Sequence, residues 1–168
     1  LEALGRCMVL WRPRRVVSLG DSFHDRQGSQ GLPAEYRAVL GEMMKGVDWL
    51  WIAGNHDPDT PTGLGGSCAT ELVVGAIRFR HEPGPTRQRG EIAGHLHPMA
   101  RIVQRGKAIR RPCFASDGEA MIMPAFGAFT GGLSLRDDAF RGIFQRSRLM
   151  AHLLGRERIY SFPATHLA

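Results

Sequence analysis

Residues 16–57 read VVSLGDSFHDRQGSQGLPAEYRAVLGEMMKGVDWLWIAGNHD, and this stretch decides the fold. Val16-Val17-Ser18-Leu19 is a short apolar run closed by Gly20-Asp21, which predicts a buried strand with a loop at its C-terminal end. A polar loop, DRQGSQG, follows, and Pro33 stands where a first helical residue belongs. Leu32, Tyr36, Val39, Leu40, Met43 and Met44 recur at helical spacing and predict the apolar face of a helix ending near Gly46. Val47 to Ala53, VDWLWIA, is a second apolar run, closed by GNHD. Strand, helix and strand within about 40 residues make a βαβ unit, whose two strands run parallel.

Beyond Asp57 the texture changes. PDTPTGLGGSCAT is rich in Pro, Gly and Thr and predicts a surface loop. ELVVGAIRFRH, GEIAGHLH, ARIVQRGKAIRRPCF and EAMIMPAF are short runs broken by Gly and Pro, as expected for strands of a second, more antiparallel sheet. Asp137-Asp138 ahead of Phe140, Ile143 and Phe144 predicts a short late helix with acids at its positive end, and RERIYSFPA a final strand.

At 168 residues the chain is expected to be a single domain, 1–168, with no internal repeat. A composition 43% hydrophobic and 23% charged excludes wholesale disorder. No apolar run approaches the ~20 residues of a membrane span, and the opening LEALGRCMVLWRPRR lacks the layout of a signal peptide. Cys7, Cys68 and Cys113 are odd in number and far apart, which excludes a disulfide framework or a Cys-based zinc ribbon and fits a reducing cytoplasm. The net charge is +6, and Lys45 and Lys107 are the only basic residues that are not Arg. Arg suits bidentate phosphate contacts, so a polyanionic partner is one reading; the base composition of a genome gives the same bias.

Four polar clusters stand where strands are expected to end: Gly20-Asp21-Ser22-Phe23-His24-Asp25, Gly54-Asn55-His56-Asp57, Arg80-His81-Glu82-Pro83 and Gly94-His95-Leu96-His97-Pro98. In open α/β sheets the loops beyond the carboxyl ends of strands bind ligands, and Asp, Asn and His are the donors that Mn²⁺, Fe or Zn²⁺ takes. Singly each is weak. An Asp after a strand also serves as a turn or helix cap, and an isolated His-x-His is more often two satisfied imidazoles. On a strand, His95 and His97 would face the same side and converge on metal. The ordered combination at four strand ends is the stronger signal.

That order resembles the calcineurin-like metallophosphoesterases, whose blocks run D-x-H, G-D, G-N-H-[DE], H and G-H-x-H; GDSFHD, GNHD, HEP and GHLHP match the last four. The wording further resembles the branch of ligase-associated DNA damage response endonucleases, through Cys113-Phe114, Asp117, Pro124-Ala125-Phe126-Gly127 and Gly131-Gly132. The resemblance covers about residues 14–160 and implies an α/β fold (α+β by some schemes), a four-layer αββα sandwich. It implies a hydrolase of phosphodiester bonds that uses two divalent metal ions, Mn first, with Zn or Fe as the other choices. Asp21 would bridge the two ions, Asn55, His81 and His95 would complete the second, and His97 would ligate the first. His56 would bind no metal but face the scissile phosphate, stabilising charge or protonating the leaving oxygen, and His24 or Asp25 would orient it. The implied partners are DNA or another phosphodiester, and a DNA ligase and helicase of one repair pathway in the cytoplasm, with no membrane.

One block is missing. Upstream of Asp21 there is no Asp and no His, so the D-x-H pair is absent and the first metal keeps only Asp21 and His97. The domain is therefore expected to be N-terminally truncated, without its first strand and metal motif. Two other functions are carried forward: a phosphatase or phosphodiesterase for nucleotides or small phosphoesters, and an inactive remnant acting as an interaction module.

Overall fold

The computed structural model describes residues 1–23, 27–59, 61–86, 88–127 and 130–168. They form two compact units, Leu1–Leu72 and Val73–Ala168.

In the first unit the βαβ reading holds. Strand β1 (Arg15–Ser18) runs parallel to β2 (Asp48–Ile52), with Val16 opposite Trp49 and Ser18 opposite Trp51. Helix α2 (Ala34–Met44) connects them, and Pro33 is its N-cap rather than its first residue. The buried stripe of α2 is Leu40 and Met44. Tyr36 and Val39, expected on that face, are 49% and 43% exposed, because the stripe covered by β2 is narrower than the apolar pattern. Leu40 and Met44 pack with Trp49 and Trp51, and Phe23, Leu32 and Leu64 close round them.

Two elements of this unit have no counterpart among the sequence-based expectations. Helix α1 (Glu2–Trp11) lays Leu4 and Met8 on the same core while Val9, Leu10 and Trp11 stay exposed. Strand β3 (Ser67–Ala69), inside the stretch expected to be loop, adds to β2 in parallel to give the order β1-β2-β3. Three residues of Ser-Cys-Ala carry no alternation to read; Gly66 precedes them at φ 95, where a side chain would be strained.

The second sheet holds β4 (Glu71–Val74), β5 (Ile77–Arg80), β6 (Glu91–Ala93), β8 (Lys107–Ser116), β9 (Ala120–Ile122), β10 (Met150–Leu154) and β11 (Ile159–Pro163), in the order β11-β10-β8-β9-β6-β5-β4. Strand β7 (Met99–Gln104) pairs with β8 off that path. The sheet is mixed: β5, β6 and β9 are parallel neighbours, and the pairs of β8 with β9, of β10 with β8 and of β11 with β10 are antiparallel. A row of mostly small residues, Ala93, Ile122, Ala115 and Ala151, crosses four strands and ends at Phe162. On it sit Phe140, Ile143 and Phe144, brought down by the short 3₁₀ turn Asp138–Phe140 that the acidic pair announced. Small side chains on the sheet give those rings room to pack without voids.

Candidate functional site

The first unit builds one loop cluster from two carboxylates that exchange backbone donors. The Asp57 carboxylate accepts N–H from Asp21 (2.7 Å), Ser22 (2.6 Å) and Phe23 (3.1 Å). In return, Asp21 Oδ1 accepts the N–H of His56 at 2.9 Å. The loop after β1 and the loop after β2 are thereby locked side by side. Gly54 sits at the crossing: a Cβ there would collide with Asp21 and lie 2.6 Å from Asp57 Oδ1. Burial pushes the Asp57 carboxyl above its ordinary value, the three N–H donors oppose that rise, and the neighbouring Asp21 charge adds to it. Asn55 and His56 are exposed and Asp21 is half-buried. Asp57 belongs to the GNHD block but carried no role in the sequence reading; the amides it serves lie 34–36 residues away in the chain, and no local pattern pairs them with it.

The second unit brings His81 and His95 together. His81 follows β5 and His95 follows β6, and these are adjacent parallel strands, so both leave the same end of the sheet. His95 Nδ1 lies 3.1 Å from His81 Nε2, with ring centroids 4.9 Å apart at 75°. His81 is 4% exposed and His95 half-buried. Glu82 Oε1 stands 3.5 Å from the other ring nitrogen of His95, a partner the sequence reading did not single out. Below them, buried Glu91 accepts the Gly84 N–H at 3.0 Å and has Arg80 at 3.6 Å, which fixes the turn carrying His81 and Glu82.

His97 is half-buried, and the expectation for His-x-His needs correction. Residues 94–98 are a turn between β6 and β7, not a strand, so a period of two does not place His95 and His97 on one side. Both are instead left-handed, His95 at φ 60 and His97 at φ 44. Gly132 backs the turn, where any Cβ would collide with the His97 carbonyl oxygen. Of the non-glycine residues with positive φ among those described, Asp21 (φ 48), His95 and His97 are all members of the expected ligand set; the others are Arg12 and Arg105. Asp and His tolerate this region better than most residues, and such conformations gather where a ligand needs them. His24 and Asp25 lie outside the described residues. Asp117 serves structure: buried, it accepts N–H from Glu119, Ala120 and Gln145 at 2.8–2.9 Å.

The donor geometry within the second unit fits a metal. Two ligand nitrogens ~2.1 Å from one ion at 90–109° stand about 3.0–3.4 Å apart. The imidazoles of His81 and His95 present their nitrogens at 3.1 Å, a separation that also suits a hydrogen bond between neutral rings.

The fold is mixed α/β, as expected: a parallel βαβ unit and a mixed sheet, with donors on the loops at strand ends. The chain is similar to a solved structure, the nuclease MPE of Pseudomonas putida, with a TM-score of 0.71 and 29% identity, over 96% of this chain and 76% of that one. No protein-family model matches the sequence, and no curated protein does. No helix among the described residues is long and apolar enough to cross a membrane.

Proposed function

We propose that the protein is a metal-dependent phosphodiesterase acting on nucleic acid, an endonuclease of DNA repair, and that Asp21, Asn55, His81, His95 and His97 are its metal ligands. The observation that carries the reading is the pair of imidazole nitrogens 3.1 Å apart on adjacent strand ends. The likeness to a nuclease over 96% of the chain supports a nucleic acid as substrate. Divalent ions, Mn²⁺ first, would supply Lewis acidity toward a phosphoryl oxygen and lower the pKa of an attacking water. The chain's own part is positioning. Asp57 holds the Asp21 backbone in its left-handed turn, and Asp21, whose Oδ1 also accepts the His56 N–H, would offer its carboxylate as ligand. Glu82 stands at the far nitrogen of His95, where a carboxylate sets the tautomer of a ligating imidazole. His56, exposed beside Asn55, would give its proton to the departing oxygen, a role open to an imidazole at neutral pH. A DNA ligase and helicase would be its partners in the pathway.

The test is metal content after equilibration with Mn²⁺ or Zn²⁺ and desalting, for wild type, His81→Ala and His95→Ala. The wild type retains an ion and both variants lose it, and His95→Ala, at the half-buried position, still unfolds cooperatively in metal-free buffer. Equal metal content in wild type and His95→Ala would overturn the ligand assignment.

A further inference from the structure

The candidate ligand His97 is followed, two residues on, by a strand that leaves the sheet. Strand β7 and the first six residues of β8 form a two-stranded antiparallel ribbon in register from Met99 opposite Pro112 to Gln104 opposite Lys107. The turn between them is Arg105-Gly106 at φ 50 and 73, both positive as a two-residue hairpin turn of the primed kind requires. Arg at the first of these positions, where Asn or Asp is ordinarily found, is a costly choice for the turn alone.

The charge on this ribbon is of one sign. Residues 98–116 contain Arg101, Arg105, Lys107, Arg110 and Arg111 and no Asp or Glu. All five cations are exposed, and none of the ion pairs among the described residues reaches them. Arg101 stands directly opposite Arg110, a like-charge cross-strand pair that weakens a hairpin. Ala100 and Ile102 belong with the core of the second unit and root the ribbon; Arg101, Val103 and Arg110 share the opposite face, while Lys107 and Arg111, opposite Gln104 and Ala100, are exposed on the face of the rooting residues. Repulsion across the ladder and a cation in a strained turn are both offset when an anion lies against the ribbon.

We infer that the β7–β8 ribbon is a nucleic-acid-binding arm, whose arginines take the phosphodiester backbone of the substrate beside the candidate metal site. This rests on the nuclease reading and adds to it the surface that holds the polymer. Guanidinium groups match phosphate oxygens bidentately, and an antiparallel ribbon is of a size to lie along a duplex groove. Six residues per strand reach roughly 20 Å, about six base-pair steps. The cations need neither an ordered metal nor the catalytic residues in order to act.

The experiment uses the full chain, a fluorescent 30-nucleotide DNA in single-stranded and duplex form, and anisotropy across a salt series. The variant R101Q/R105Q/K107Q/R111Q removes four cations and spares Arg110, whose Nη2 donates to the Gly132 carbonyl and so braces the turn of His97. Each phosphate that is no longer neutralised lowers the slope of log K against log salt by about 0.7–0.9, so the slope falls by roughly 3 and affinity near 0.1 M salt by roughly 10²–10³-fold. Turnover of bis-p-nitrophenyl phosphate, which is too small to reach the ribbon, stays at the wild-type rate. The double variant R101Q/R111Q shows about half the change in slope, which guards against misfolding of the fourfold variant.

Unchanged DNA affinity and slope overturn the arm while leaving the nuclease reading intact. So does a wild type that binds neither DNA, or one from which poly-L-glutamate displaces DNA as well, charge for charge, as unlabelled DNA does. DNA binding that depends on the ribbon in a protein that cleaves no DNA would support the arm and overturn the nuclease reading.

Discussion

Replacing Asp57 by Ala is the sharpest perturbation of the first unit, because one side chain holds three backbone donors. Hydrogen bonds to a charged acceptor are worth ~1.5–3 kcal/mol each when desolvated, so three would give ~4.5–9 kcal/mol in a dry site. The site is not dry. Ser22 is exposed and Asp21 and Phe23 half-buried, so water replaces part of what the carboxylate gave, and burial of the acid itself opposes its ionised form. The expected loss is therefore about 2–4 kcal/mol for Asp57→Ala. Asp57→Asn keeps one acceptor oxygen but turns an NH₂ toward a backbone N–H, and should lose nearly as much. Urea unfolding followed by tryptophan emission reads this directly, since Trp49 and Trp51 lie in the same core as Phe23. The midpoint falls with the slope unchanged. Metal retention falls with it, because the Asp21 turn loses its clamp. A loss below about 0.5 kcal/mol for Asp57→Ala would refute the reasoning, since surface changes away from such features cost no more.

Trp49 and Trp51 separate packing from hydrogen bonding: Trp51 Nε1 donates to Gly65 O at 2.9 Å, whereas buried Trp49 Nε1 meets no acceptor among the described residues. Trp51→Phe should cost ~1–2 kcal/mol more than Trp49→Phe in the same unfolding assay. Exposed Cys7 should react with a thiol reagent at once, half-buried Cys68 slowly, and Cys113, whose thiol burial pushes up to about 12, only on unfolding. Because the unfolded Cys113 thiol ionises from about 9 and the folded one does not, its contribution to stability is complete below pH 9. It is then lost at about 1.4 kcal/mol per pH unit up to about 12, readable as a wild-type versus Cys113→Ala difference in the pH dependence of the midpoint. His56→Ala should keep the metal and lose roughly 10²–10⁴-fold in rate on DNA, and much less on an ester with a p-nitrophenolate leaving group, which departs without a proton; an equal loss on both would remove the general-acid role.

Much of the fold was legible because its signals are local. The βαβ unit follows from two apolar runs and a helical period, and the strand ends from the polar clusters that close them. What was not legible depends on partners far away in sequence. Strand β3 is defined by its ladder to β2 and not by its three residues, and β10 takes its place from pairing with both β8 and β11. Tyr36 and Val39 show the limit of periodicity, since an apolar pattern gives the direction of a face and not the width of what covers it. At the site, residue types were legible and conformations were not. His-x-His suggested a strand, but left-handed φ at both histidines makes a turn, a choice encoded in the collision that keeps Gly132 bare. Asp57 and Glu91 hold loops through backbone amides, and no spacing rule announces an acceptor for a distant N–H.

Strand β8 belongs to two ladders. Its residues 107–112 pair with β7 alone, while 113–116 are bonded into the sheet, with β10 on one side and β9 on the other at Ala115 and Ser116. Opening the ribbon therefore need not open the sheet, and the amides of this one strand should exchange with deuterium in two classes, fast in its first half and slow in its second. The slow half is then an internal clock for the fast one. Addition of DNA should retard exchange in the first half and leave the second where it was.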